Sequence, residues 1–420
     1  MVDSGLRIAM LSVHSCPVGT LGTKDTGGMS VYILELAEEL GRRGHYVDVY
    51  TRVHDPNDRV IYALGKNVQL IHLPAGELGQ MHKLDIYSYL PDFARNLEEC
   101  REQNNFLYDL VFSHYWLSAW VGERLQQWWD VPHITMFHTL GAVKNTLALG
   151  EDEPELRIEI EGELARSCHH IIAPTEKEKE ELVQHYASLP ERISIVPCGV
   201  NLERFHPIDR ERGKRELGFN DEKIILFVGR IESLKGIEQL LTAISYLKNN
   251  QNPRLVVVGG GDDSQYELER LRRMSQDLNI EDSVTFAGSI EQERLLFYYS
   301  AADVCVISSF YESFGLVALE SLACGTPVVA NDVGDLKNII RQGETGYVIV
   351  DNEPSHIAEK IDLLLGRPAY DRNTSLSIRE SVSGYSWHNI ANLIVEEFQQ
   401  ALDNYLTPIP GSVTCTGCKR

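Results

Sequence analysis

Short β-branched runs alternate with helical patterns along almost the whole chain, and this alternation constrains the fold more than any other feature. Periodicity predicts strands over 8–13, 46–51, 68–73, 110–113, 134–137, 171–173 and 193–196. It predicts a helix over 31–43 that ends at Gly44. Between Pro197 and Pro207 the texture changes to an exposed connection, and the alternation then restarts. Further strands are predicted over 224–228, 255–258, 284–287, 304–307 and 328–330. Such alternation builds parallel sheets covered by helices on both faces. One core rarely grows past ~250–300 residues, so 420 residues imply two domains. The expected division is an N-terminal Rossmann-like domain over 1–203 and a second one over 204–385. A helix over 386–406 follows, able to close the second domain or to cross back to the first, and then a flexible tail over 407–420. Ligands of doubly wound sheets bind beyond the carboxyl ends of the strands, so two facing sheets share one cleft.

Charge narrows the classes of partner. The chain carries 61 acidic and 39 basic residues, a net −22, which opposes non-specific binding to nucleic acid or anionic lipid. No apolar run approaches the ~20 residues of a transmembrane helix, and the first residues lack a secretory pattern. A cytoplasmic protein is expected. The eight cysteines are scattered and read as reduced, mostly buried thiols. Cys415 and Cys418 form a lone CxxC near the terminus with no second ligand pair. A frayed tail is the preferred reading, and no metal site is expected.

Four loops carry the candidate chemistry. Asp25-Thr26-Gly27-Gly28-Met29-Ser30 follows the first strand and opens a helix, so its backbone can approach a diphosphate or a developing oxyanion. It is not GxGxxG, which weakens a dinucleotide reading. His138, in Phe137-His138-Thr139-Leu140-Gly141, stands at a strand end where it can reach a sugar hydroxyl; a satisfied structural histidine would look the same. Arg230 and Lys235, five residues apart after a strand, offer a fork and a point charge for phosphate oxygens. Glu312 and Glu320 flank Ser313-Phe314-Gly315-Leu316-Val317-Ala318-Leu319, with Glu320 expected two turns into a helix whose N-terminal N–H groups are free for a phosphate or sugar.

Gly229-Arg230 with Lys235-Gly236, the Glu312 to Glu320 segment, and Ala323-Cys324-Gly325-Thr326-Pro327-Val328-Val329-Ala330 resemble the retaining GT-B glycosyltransferase family, which includes sucrose-phosphate synthases. The resemblance spans roughly 6–400. Leu11 to Ser15, Asp25 to Tyr32, Ser113-His114-Tyr115-Trp116-Leu117-Ser118 and His138 to Gly141 look most like its mycothiol-type inositol-phosphate N-acetylglucosaminyltransferase branch. The resemblance implies a GT-B fold of two Rossmann-like domains facing across a cleft. It implies that Arg230 and Lys235 grip the donor diphosphate, that Glu320 takes the ribose, and that Glu312 takes the transferred sugar. Ser313, Phe314, Gly315 and Leu316 would add donor contacts. His138, Gly27 and Gly28 would line the reacting centre, and Lys83, Tyr115, Thr139 and Arg157 would hold an acceptor phosphate. The donor expected from the resemblance is UDP-glucose or UDP-N-acetylglucosamine, with no metal and no cofactor required.

The expected reaction is transfer with retention to a hydroxyl of a small, phosphorylated acceptor such as inositol phosphate. Transfer to fructose 6-phosphate is the alternative within the class, and a lipid acceptor is disfavoured because no basic amphipathic helix is found. A non-catalytic sugar-nucleotide-binding protein is the alternative outside it, although the retained His138 and paired glutamates oppose that. Partners are expected to be small molecules, and a homodimer stays open.

Overall fold

The buried β-branched runs become strands, and the polar connections place helices on both sides of them. The computed structural model describes residues 5–19, 26–79, 81–149, 152–219, 221–248, 253–261, 264–367 and 371–406. Asp25, Cys415, Cys418 and the tail over 407–420 lie outside the described residues.

The N-terminal domain is one eight-stranded sheet. Its strands are β1 (Arg7–Leu11), β2 (Tyr46–Arg52), β3 (Ile61–Gly65), β4 (Val68–Leu73), β5 (Leu110–His114), β6 (His133–Met136), β7 (His170–Ala173) and β8 (Ile193–Ile195), in the order β3-β4-β2-β1-β5-β6-β7-β8. Every pairing is parallel except that of β3, an exposed antiparallel edge strand. The second domain is a six-stranded parallel sheet of β9 (Ile224–Val228), β10 (Arg254–Val258), β11 (Val284–Gly288), β12 (Val304–Ile307), β13 (Val328–Asn331) and β14 (Gly346–Ile349), ordered β11-β10-β9-β12-β13-β14. The chain is a GT-B fold.

Strand order reverses between β1 and β5 in the first sheet and between β9 and β12 in the second. These switch points are where a doubly wound sheet opens to a ligand. His14 and Tyr115 follow the first pair of strands, and Arg230 and Glu312 follow the second.

The helix Trp387–Leu406 follows the second domain in sequence but packs on the first. Phe398, fully buried, meets the Phe112 ring at 5.3 Å. His170 faces Glu397 at 3.1 Å, and Tyr405 donates to Asp130 at 3.0 Å. The two chain crossings lie against each other: Val200 N–H donates to the Tyr385 carbonyl at 2.8 Å, and a Cβ on Gly199 would stand 2.5 Å from the Trp387 ring. Asn201 and Arg204 also reach Glu35 on the helix Gly28–Arg42. One apolar cluster therefore runs from the first sheet through Val200 and Phe205 into the second domain. Among the described residues no helix is long and apolar enough to cross a membrane.

Candidate functional site

On the second domain, β9 delivers Arg230 and the following turn delivers Lys235. Gly236 takes φ +63°, and a Cβ there would lie 2.0 Å from the Ser308 carbonyl oxygen, so only glycine brings Lys235 this close to the end of β12. Lys235 Nζ pairs with Glu312 Oε1 at 2.7 Å, with both side chains below one-fifth exposed. Ser309 donates to the same oxygen at 2.7 Å. Arg230 pairs with Glu232 at 2.9 Å. Each cation of the pair is therefore matched by a carboxylate.

The helix after Glu312 starts at Leu316 and ends at Ala323. Glu320 is therefore one turn into it, not two. Gly315 opens the helix at φ +121°, with Leu336 so close that a Cβ would approach it to 2.6 Å. The Ala318 N–H already bonds the Gly315 carbonyl at 3.0 Å, so the helix-start donors left over are Leu316 and Val317, while Ser313 and Phe314 belong to the approach. Glu320 accepts from the Tyr299 hydroxyl at 2.6 Å, and burial pushes its pKa up to about 7.

On the first domain the four expected phosphate ligands gather around Tyr115, whose own φ is +75°. Lys83 Nζ lies 5.4 Å from the centre of that ring and the Arg157 guanidinium 4.9 Å. Arg157 donates to the Thr139 carbonyl and hydroxyl at 2.9 and 3.0 Å. It also pairs with Glu161 at 2.6 Å and Glu153 at 2.7 Å. Burial alone would lower its pKa, but the two glutamates and Tyr115 keep the guanidinium charged. Arg157 is thus tied to Glu153, Glu161 and Thr139 beside the Tyr115 ring. Lys144 adds a third cation, paired with Glu153.

Sequence reasoning gave no role to four residues that the fold brings here. His14 lies tilted against Tyr115, ring centres 4.4 Å apart, with its Nδ1 unpartnered; burial, then the charges of Lys83, His54 and Arg157, hold its pKa well below the ordinary value. Glu178, on the helix Glu176–Tyr186, is buried and accepts from Ser313 across the cleft at 3.0 Å. Burial pushes its pKa up to about 8. Tyr311 packs against the apolar cluster of the first domain. His114 lies against His138, whose ring burial drives its pKa down to about 3. An eye for strand-end residues would have found His14 and His114; nothing local marks Glu178.

The two halves close on one another. Gly27 caps the helix Gly28–Arg42, and a Cβ on Gly28 would lie 3.3 Å from Leu316 Cδ1. The helix start that follows β1 therefore faces the helix start that follows Glu312. Gly27, Gly28, His138, Arg230, Lys235, Glu312 and Leu316 stand at strand ends or helix starts on either side of this contact, with Lys83, Tyr115, Thr139 and Arg157 gathered on the first domain.

Residues 26–204 match the model "Glycosyltransferase Family 4", and residues 209–380 match "Glycosyl transferases group 1". A D-inositol 3-phosphate glycosyltransferase of Corynebacterium glutamicum is 34% identical over 408 residues, covering 95% of this chain and 98% of the relative. One of Mycobacteroides abscessus is 37% identical over 408 residues, covering 96% and 91%. Among solved structures, a sucrose-phosphate synthase of Thermosynechococcus elongatus superposes with a TM-score of 0.86 at 34% identity, covering 95% of this chain and 99% of that one.

Proposed function

The chain belongs to the glycosyltransferase family described by those two models, and from that premise we propose that it moves a hexosyl or N-acetylhexosaminyl group, with retention, from a nucleotide diphosphate sugar to a hydroxyl of a small phosphorylated acceptor. The observation that carries the proposal is the apposition of Lys235, Glu312 and the helix start at Leu316 to Gly28 across one cleft. Positive charge and free N–H groups are where a departing diphosphate needs them.

In this reading Arg230 and Lys235 receive the diphosphate, assisted by the Leu316 and Val317 N–H groups. Glu320 takes the ribose, and Glu312, released from Lys235, takes hydroxyls of the sugar. The bond from the anomeric carbon to the phosphate oxygen breaks, and the acceptor oxygen bonds to the same face of that carbon. The acceptor proton passes to the leaving diphosphate oxygen. No covalent nucleophile and no metal enter the scheme; the barrier falls through fixed charge and positioning. The proposed donor is UDP-glucose or UDP-N-acetylglucosamine.

The names of the sequence relatives support inositol phosphate as acceptor, with Lys83, Tyr115, Thr139 and Arg157 around it and His14 beside Tyr115. The similarity to sucrose-phosphate synthase supports fructose 6-phosphate as the second reading. Domain opening at the paired crossings near Val200 and Tyr385 would admit substrates, and closure would exclude water. The proposed compartment is the cytoplasm.

The test is a panel of UDP- and GDP-sugars against inositol phosphate, fructose 6-phosphate and their unphosphorylated forms, read as nucleotide diphosphate release and as the anomeric configuration of the product. Transfer to a phosphorylated acceptor with retention is expected. Transfer only to unphosphorylated acceptors would remove the phosphate site, and an inverted product would remove the mechanism.

A further inference from the structure

His114 ends β5 and His138 follows β6, the neighbouring strand, so the sheet register itself sets the two imidazoles side by side. His114 Nδ1 and His138 Nε2 are 2.9 Å apart. His114 has no exposed surface: Phe112 covers it at 4.3 Å and Tyr32 at 5.7 Å, each edge to face. Its Nε2 has no hydrogen-bond partner. His138 is held at φ +62°, and Tyr32 lies 5.4 Å from it. Its Nδ1 is the nitrogen outside the pair and is not among the closed-off polar atoms without a partner.

Burial holds the pKa of both rings down, so both are neutral near pH 7. Two neutral imidazoles at this distance share one hydrogen, and there are two ways to place it. If His138 donates, His114 must accept at Nδ1 and carry its own hydrogen on Nε2, an N–H sealed among aromatic rings. If His114 donates from Nδ1, only a lone pair is left in that enclosure. Among backbone groups an orphaned buried N–H is the rarer of the two defects, and by extension to the ring the second arrangement is favoured. His138 then accepts at Nε2 and must carry its hydrogen on Nδ1.

We propose that His114 is a positioning residue that fixes the tautomer of His138, so that His138 presents a hydrogen-bond donor at Nδ1, and not an acceptor, to an oxygen of the substrate. The partner group is therefore a sugar hydroxyl or ring oxygen accepting from an N–H, and His138 does not serve as the base for the acceptor proton. This is consistent with that proton leaving on the diphosphate.

The experiment has two arms on the full chain. In the first, the ¹⁵N shifts of the wild-type histidines, with His138 assigned by its loss in His138→Gln, show which ring nitrogen carries hydrogen. Hydrogen on Nδ1 is expected, and hydrogen on Nε2 overturns the proposal. In the second, His114→Phe keeps an aromatic ring without the donor, and His114→Asn restores an N–H near the Nδ1 position. With the donor and acceptor identified by the panel, kcat of the Phe variant should fall about tenfold to a hundredfold, the loss seen when an outer partner of an oriented histidine is removed. KM for the nucleotide sugar should stay within about threefold, since the uniform part of binding is untouched. The Asn variant should recover most of kcat. Equal kcat in the Phe variant, or loss in both variants alike, contradicts the proposal. The kinetic arm rests on the transfer reaction proposed above; the tautomer arm does not, and it decides the matter even if no transfer is found or a His114 variant fails to fold.

Discussion

Replacing Glu178 by glutamine should make the protein less sensitive to alkali. Glu178 is 2% exposed, its Oε2 accepts from Ser313 of the other domain, and its Oε1 has no partner. Burial pushes its pKa up to about 8 from an ordinary 4.5, while Ser313 pulls the other way and Glu181 and Glu161 add to the rise. A raised folded-state pKa means that the folded protein holds the proton more tightly than the unfolded chain. The stabilisation is complete below the unfolded value and is lost as pH climbs through about 8. At ~1.4 kcal/mol per unit, a rise from 4.5 to about 8 sets a ceiling of roughly 4–5 kcal/mol. Opening of the cleft hydrates the carboxylate and relieves part of this, so ~2 kcal/mol is the working expectation. The assay is thermal unfolding of wild type and Glu178→Gln at pH values from about 4 to about 9, a window chosen to span both pKa values. The amide can still accept from Ser313, so the two proteins should melt together near the acid end. With rising pH the variant should become progressively the more stable, by several degrees at the alkaline end. A difference in Tm that stays constant across the range would refute the reasoning.

Lys235→Met should cost ~2–4 kcal/mol of transition-state stabilisation, read as kcat/KM for the nucleotide sugar. Because Lys235 and Glu312 are ion-paired, Lys235→Met/Glu312→Gln should fall short of the sum of the single losses by ~0.5 kcal/mol or more. Phe398→Ala empties a fully buried position between the last helix and the first sheet, with an expected cost of ~3–5 kcal/mol. Hydrogen exchange should then accelerate in Trp387–Leu406 while β9 and β12 keep their protection.

The buried parallel strands were legible in the sequence because both of their faces are apolar, which forces β-branched runs such as 224–228 and 255–258. β3 was not legible: Tyr62 and Leu64 pack partly against the core, but the outward Ile61 and Ala63 are apolar too, so hydrophobicity does not alternate along the strand. β14 escaped because it is four residues long and begins at a glycine. Within the site, Arg230, Lys235 and Glu312 stood out as charge at strand ends. Their pairing did not, since Lys235 and Glu312 are 77 residues apart in sequence. Glu178 sits in Glu176-Lys177-Glu178-Lys179-Glu180-Glu181, a charge run with no local mark of burial, and Ser313 of the other domain closes on it. The place of Arg157 among the phosphate ligands came from the resemblance alone, and its ion pairs with Glu153 and Glu161 are visible only once the chain folds.

The central claim is that Arg230, Lys235 and the helix start at Leu316 receive a nucleotide diphosphate, and calorimetric titration of UDP into wild type and Arg230→Ala/Lys235→Ala tests it most directly. Each charge-assisted hydrogen bond is worth ~1.5–3 kcal/mol. The account predicts saturable one-site binding to the wild type, weakened by about a hundredfold or more in the double variant with its melting temperature close to wild type. Equal affinity in the two proteins would contradict it.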